Sequence, residues 1–198
     1  WADGVLSVHW LYERTGEAWL LDLAATMRAQ GYDWRAHFEA FAFTGKTARE
    51  ACQQPTHVVN NGMAVKQPGV WWRQTGDAGD RDAVWTILAQ LDRYHGQATG
   101  LFTGDEHYAG RDPSQGTELC AVVESMFSLE SLLAILGTGA AALGDRRERI
   151  AYNALPAAFA PDMWTHQYDQ QANQVVCAVT EDPIYTNNRG DANTFGLE

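Results

Sequence analysis

The sequence is poor in cysteine, in basic residues and in long apolar runs, and each shortage excludes a class of protein. Three cysteines are too few for a disulfide framework. The 14 basic residues are outnumbered by 25 acidic ones, and a net charge of −11 repels phosphate backbones, so we expect no nucleic acid partner. No uninterrupted apolar run approaches the roughly 20 residues of a membrane helix, so we expect no membrane partner either.

Apolar and aromatic residues, by contrast, are plentiful. Apolar residues make up 45% of the 198, which excludes general disorder. Eight residues are tryptophan. Acidic proteins rich in tryptophan often stack sugars on indole faces, a correlation that by itself assigns no ligand.

Apolar residues recur at helical spacing over most of the chain and predict pairs of helices joined at glycines. The breaks at Gly16, Gly76 and Gly137 lie 60 and 61 residues apart, and each separates two helical patterns. Such a period is typical of arrayed helix hairpins, which a ring of helix pairs would use. We therefore expect a mainly α fold, with an irregular helical domain as the alternative to a ring.

The longest helical pattern covers 114–136, and Ser114 or Thr117 is its predicted N-cap. From Met163 onward the composition becomes polar and then β-prone, which predicts a strand- and loop-rich end over 163–198. No leader peptide is visible before Trp1, and we expect both ends to be cuts through a longer protein. The acidic surface slightly favours a secreted or periplasmic location over a cytoplasmic one, without deciding between them.

Residues suited to catalysis concentrate in 99–124. A loop punctuated by glycines carries Asp105, Glu106, His107 and Asp112 and leads into the longest helical pattern. Glu106 could act as a general acid if burial or a neighbouring negative charge kept it protonated. A solvated acidic loop would explain the same residues.

Glu118 and Cys120 stand two residues apart, a spacing whose meaning depends on the backbone. In an extended stretch both side chains point the same way, whereas in a regular helix they diverge. A carboxylate and a thiolate suit zinc, but two ligands do not make a site. The alternative is a small buried cysteine at the start of a core helix, beside a glutamate that complements the helix dipole.

Histidine and tyrosine side chains elsewhere also suit a ligand. His57 lies where a loop becomes a helix, and a lone histidine there could be structural or functional. His166, Tyr168 and the glutamines around them combine hydrogen-bonding groups with stacking faces, which suits a polyhydroxylated ligand. A polar surface between domains would look the same.

Three segments, 104–124, 148–154 and 166–171, resemble the β-L-arabinofuranosidase-like group, glycoside hydrolase family 127 and its relatives. The resemblance covers most of the chain, and its long middle segment is the specific part. The family's catalytic domain is an (α/α)6 barrel accompanied by β-sandwich domains. The resemblance thus implies that 1–198 is part of such a barrel, whose partners are the remainder of the catalytic domain, the β-sandwich domains and a carbohydrate substrate.

The resemblance also implies a chemistry. The family hydrolyses terminal arabinofuranose-like sugars of plant-type glycans with retention, using a cysteine nucleophile held on zinc by one Glu and three Cys, and a separate Glu as general acid. The implied positions are Glu118 and Cys120 for zinc, Glu106 for the acid, and His57, His107 and Tyr168 for the sugar.

The C-terminal part departs from the family pattern. The family's paired cysteines, the nucleophile among them, follow a segment similar to Gly196-Leu197-Glu198, where this chain ends. Cys177 does not match the nucleophile. We therefore expect the isolated chain to be inactive and to bind zinc poorly, although its parent would be a glycosidase.

Two other readings of the same residues stay open. One is a metal-free hydrolase that uses Glu106 together with Glu118 or Asp112. The other is a helical domain that binds carbohydrate without turning it over.

Overall fold

The computed structural model describes residues 1–159, 163 and 166–173, and these are mostly helical, as predicted. The predicted β-prone run at 175–180 lies outside the described residues. The α-helices are α1 (Ala2–Thr15), α2 (Trp19–Gln30), α3 (Trp34–Glu39), α4 (Val58–Ala64), α5 (Gln67–Thr75), α6 (Ala78–His95), α7 (Leu119–Leu136) and α8 (Ala141–Tyr152). Short 3-10 turns occur at Arg49–Ala51, Gln54–Thr56, Gly137–Ala140 and Pro156–Ala158.

Each of the three glycine breaks ends the first helix of a hairpin and leads into the second. Gly16 and Gly76 are left-handed, with φ of 70° and 69°, and their amides donate to carbonyls of the last turns of α1 and α5. Gly137 ends α7 with φ of 69°. The pairs α1–α2, α5–α6 and α7–α8 pack against each other, so the 60-residue period does mark helix hairpins.

A small sheet of two-residue strands closes one end of the helices. Its strands are β1 (Gly104–Asp105), β2 (His107–Tyr108), β3 (Thr117–Glu118) and β4 (Asp169–Gln170), in the spatial order β2-β1-β3-β4. The β1–β3 pair is parallel and the other two pairs are antiparallel. Strand β4 lies within 163–198, where β segments were predicted, whereas the three strands that precede α7 were not predicted.

Helix α7 begins at Leu119, five residues later than predicted, and the sheet is the reason. Thr117 and Glu118 pair with β4, and the amide of Leu119 donates to the carbonyl of Tyr168 at 2.8 Å. Neither Ser114 nor Thr117 caps the helix. The N-cap residue is Glu118, whose backbone is extended (φ −61°, ψ 133°).

The main core lies between α4, α6, α7 and α8, and it fixes α4 against α7. Gly62 allows the close approach, because a Cβ there would come within 3.3 Å of the Ala121 carbonyl oxygen. Each large core side chain contributes about 1.5–3 kcal/mol by burial. Fully buried members include Val58, Ile87, Leu91, Val122, Leu132 and Ile150.

The stretch Leu119–Ala158 is long and apolar enough, by length and composition, to cross a membrane, with an 18-residue window of mean hydropathy 1.8. Glu124 and Glu130 interrupt the stretch, so it is not an uninterrupted apolar run. Core helices pass the same test, and α7 packs against α4 and α8 with Val122 and Leu129 buried. We interpret α7 as a core helix.

The contact between Gly104 and Val58 joins the sheet to α4 and can be tested by adding one methyl group. A Cβ on Gly104 would lie 1.9 Å from the Val58 side chain and 2.9 Å from the His107 carbonyl oxygen. Gly104→Ala should therefore lower the free energy of unfolding by about 1–3 kcal/mol, measured by chemical denaturation. Gly45→Ala, where the new methyl group meets nothing within 4 Å, is the matched control.

Because most of the clash is with one side chain, Gly104→Ala and Val58→Ala should destabilise by less than the sum of their separate effects. Strict additivity would show that the methyl group does not press on Val58.

Candidate active site

Glu106 occupies the single position between β1 and β2. Asp105 and His107 are register partners, so the chain reverses at Glu106, which has φ of 63°. This left-handed backbone is uncommon for a residue other than glycine. The carbonyl of Glu106 accepts a hydrogen bond from the amide of Val58 at 2.9 Å, which holds the turn against the first residue of α4.

His57, the N-cap residue of α4, holds one carboxylate oxygen of Glu106. Its Nδ1 accepts from the amide of Asn60 at 3.5 Å, which places the ring proton on Nε2. Nε2 can then donate to Oε2 of Glu106, 3.2 Å away. A backbone bridge between His57 and His107 keeps this end of α4 on the edge of the sheet.

Tyr168 holds the other carboxylate oxygen of Glu106. Its hydroxyl donates to Oε1, and its carbonyl oxygen is fixed by the amide of Leu119. Burial, the hydrogen bond to Glu106 and the negative charge of Glu118 all raise the pKa of Tyr168. The phenol therefore stays protonated at neutral pH and remains a donor.

Glu118 is a buried carboxyl next to the half-buried carboxyl of Glu106. Burial raises its pKa, and the negative charge of Glu106 adds to the effect, whereas hydrogen bonds to Cys120 and Tyr168 act the other way. Its Oε2 atom is buried and has no hydrogen-bond partner within the described part of the chain. One side-chain ligand atom from each of His57, Glu106 and Glu118 lies within 4.8 Å of the others.

Cys120 lies beside Glu118, as the zinc interpretation requires, because Glu118 is the extended cap residue and Cys120 belongs to the first turn of α7. The two side chains share a hydrogen bond. Cys120 is exposed at the surface, so the alternative of a buried core cysteine was wrong. Partial desolvation of its thiol, together with the charge of Glu118, raises the pKa of Cys120 to about 11.

A pair of buried aspartates, which the sequence analysis did not assign to the site, completes the cluster. Asp105 on β1 and Asp169 on β4 are both buried, and the two carboxyl groups are close enough to interact electrostatically. Burial and the charge of Asp105 hold the pKa of Asp169 well above its usual range. No sequence pattern indicated that Asp105 and Asp169 lie together. The strand register, which places Asp169 opposite Glu118, brings Asp169 into the cluster.

Two other predicted residues lie beside or outside the cluster. His107 is half-buried, with Nδ1 2.8 Å from Oγ1 of Thr56 and its ring edge-on to His57 at 5.7 Å. Asp112 is exposed, and hydrogen bonds from Ser114 lower its pKa. The structure thus brings together His57, Glu106, Glu118, Cys120 and Tyr168, with His107 adjacent.

The donors present fit part of a zinc site. Glu118 offers a buried oxygen that has no hydrogen-bond partner among the described residues, and Cys120 offers a thiol next to it. Carboxylate oxygen and thiolate sulfur are both established zinc ligands, and a structural zinc site takes four. Within the described residues these two could supply half of the four ligands.

Neighbouring carboxyl groups, one of them held by hydrogen-bond donors, are the arrangement on which glycoside hydrolases rely. The family model for the beta-L-arabinofuranosidase GH127 catalytic domain matches residues 4–175. The chain belongs to this family, which confirms the resemblance found in the sequence. No curated protein matches the chain.

Solved structures share the fold at low sequence identity. One, described as a glycoside hydrolase, has a TM-score of 0.62 and 14% identity and covers 86% of this chain. Another, a GH127 beta-L-arabinofuranosidase from Geobacillus stearothermophilus T6, has a TM-score of 0.56 and 19% identity and covers 84%. The chain spans 31% and 30% of these two proteins. The likeness shows a common fold.

The contact between Glu118 and Cys120 predicts an unreactive thiol in metal-free protein. Alkylation of Cys120, followed by peptide mass spectrometry, should rise with pH toward a midpoint near the pKa of about 11. Glu118→Gln removes the negative charge and should move the midpoint to lower pH. Cys52, followed in the same digest, is the internal control. An unchanged Cys120 midpoint in Glu118→Gln would contradict the contact.

Proposed function

We propose that the protein to which this chain belongs is a retaining glycoside hydrolase that removes terminal arabinofuranose-like sugars from plant-type glycans. The observation that carries the proposal is the environment of Glu106, whose two oxygens are held by His57 and Tyr168 beside a second buried carboxyl. The same segment contains the residues that most resemble the family. Glu106 is the proposed general acid and base.

Glu106 would act twice. As the glycosidic bond breaks, its carboxyl gives a proton to the leaving oxygen; afterwards the carboxylate takes a proton from the water that completes hydrolysis. Tyr168 and His57 orient the carboxyl by donating to Oε1 and Oε2 respectively. Because Tyr168 stays a phenol, this orientation survives both proton transfers.

Glu118 and Cys120 would hold zinc, with the remaining ligands and the nucleophilic cysteine supplied from outside this chain. A bound zinc ion keeps coordinating thiols deprotonated and so supplies a thiolate nucleophile at neutral pH. The raised pKa of Cys120 supports the need for such a cation, because partial burial and then the surrounding carboxylates oppose ionisation of the thiol.

The metal-free hydrolase is the second candidate, and the geometry favours Glu106 and Glu118 as its two catalytic carboxyl groups. Ligand atoms of Glu106 and Glu118 lie within 4.8 Å, near the roughly 5–5.5 Å that separates the carboxyls of retaining enzymes and below the roughly 6.5–9.5 Å of inverting ones. Asp112, exposed and bonded to Ser114, does not suit this role.

Replacing the proposed acid tests the function directly. In the full-length protein, Glu106→Gln should lower kcat on an alkyl β-L-arabinofuranoside by about 10²–10⁴-fold. The loss should be smaller on a nitrophenyl glycoside, whose leaving group needs little protonation. Glu130→Gln on the exposed side of α7 is the matched control and should keep full activity. Equal losses on both substrates would remove Glu106 from the acid role.

Metal content separates the two candidates. Glu118→Gln and Cys120→Ser should each lower the zinc content of the purified full-length protein and abolish activity together. Loss of zinc in Cys120→Ser with activity retained would favour the metal-free hydrolase, whereas Glu118→Gln should inactivate either candidate. The isolated 198-residue chain should bind zinc poorly and release no sugar, and tight stoichiometric binding with sugar release would contradict the proposal.

A further inference from the structure

A groove of about 770 Å³ lies between α6 and α8, away from the carboxyl cluster. This volume is within the range of small-molecule sites. The loop 96–100 contributes to its lining. The side chains that matter for recognition are Trp85, Asp92, Gln97, Arg111, Arg146 and Arg149.

Trp85 gives the groove an aromatic wall. It projects from α6 with 40% of its surface exposed, although a large apolar side chain is usually covered. Ala89, one turn further along α6, and Ala142 at the start of α8 line the same groove with only methyl groups. An indole with small neighbours leaves room for a flat apolar surface, such as the C–H face of a sugar ring.

The lining of the groove, Asp145 included, carries a net charge of +1 in a chain that is strongly acidic. Three arginines and two aspartates line it, in a protein of net charge −11. Arg146 is already neutralised by Asp92 through two hydrogen bonds of 2.7 Å. Arg111 and Arg149 are exposed and have no carboxylate within 4 Å among the residues that the structure describes. Their guanidinium groups are therefore available to bind a carboxylate through bidentate hydrogen bonds.

We propose that this groove binds an acidic sugar, a pyranose unit that carries a carboxylate, and so extends the recognition of the glycan beyond the cleaved residue. The ring would stack on Trp85 while its carboxylate is held by Arg111 and Arg149. The role as a glycan subsite rests on the proposed hydrolase function, whereas the binding itself does not.

The groove is tied through the backbone to the hairpin that carries Glu106. Gln97 in its lining donates from its side chain to the carbonyl of Arg111 at 3.2 Å. Arg111 follows β2 by three residues, and the loop 96–100 leads directly toward β1. A ligand in the groove would thus contact both segments that flank the turn at Glu106.

Calorimetric titration of the full-length protein tests the site. A trisaccharide of galacturonic acid should bind at least tenfold more tightly than the corresponding neutral galactose trisaccharide, and the difference should shrink as salt is added. Trp85→Ala and Arg149→Gln should each weaken binding of the acidic trisaccharide at least tenfold.

The chain offers close controls. Trp10 is 55% exposed on α1 with Arg14 over its ring, a pairing of the same two residue types away from the groove lining. Arg81 is an exposed arginine on α6 paired with Asp82. Trp10→Ala and Arg81→Gln should change the affinity less than twofold.

Each contrary result overturns the proposal. The proposal fails if the acidic trisaccharide does not bind or if it binds no more tightly than the neutral one. It also fails if Arg149→Gln leaves the affinity for the acidic trisaccharide unchanged. If inorganic phosphate bound as tightly as the acidic sugar, the groove would be a general anion site that does not recognise the sugar ring. Trp85→Ala should leave hydrolysis of a nitrophenyl arabinofuranoside unchanged. If the wild-type protein does not hydrolyse that substrate, the hydrolase proposal fails while the titration still decides the groove.

Discussion

The structure depends on keeping four carboxyl groups together at the N-terminal end of α7. Asp105, Glu106, Glu118 and Asp169 lie on or between neighbouring strands, and three of them are almost fully buried. Burial of adjacent charges is unfavourable unless protons or donors offset it. The raised pKa of Asp169, which favours its protonated form, and the donors of His57 and Tyr168 provide that offset. Strands of only two residues are long enough to position these four carboxyl groups.

The helical scaffold sets the distances within the cluster. Helix α4 packs on α7 through Gly62, and His57 is the N-cap residue of the same helix, so core packing determines how far the histidine lies from Glu106. Gly104 lets the sheet approach Val58 at the start of α4. The site is thus the meeting point of two helix N-termini and one sheet edge, and changes in the core would reach it through α4.

Much of this arrangement could be predicted from sequence because it is local. Glycines mark the turns between paired helices, and the loop before α7 contains residues that meet in the cluster. The start of α7 was misplaced because Thr117 and Glu118 satisfy their backbone groups in a ladder with residues about 50 positions away. Asp169 was missed for the same reason. The roles of Glu106, Glu118 and Cys120 stay predictions, and the structure contributes their proximity.

The left-handed backbone at Glu106 has an evolutionary consequence. A residue other than glycine held there costs about 1–3 kcal/mol of conformational energy, since a Cβ is disfavoured at φ near 63°. Selection for thermal resistance alone would favour glycine at this turn. Under the proposed function, glycine here would also remove the general acid, so a long acidic side chain at this position trades stability for activity. Thermostable homologues would have to recover the deficit elsewhere in the fold, because they cannot recover it at this residue.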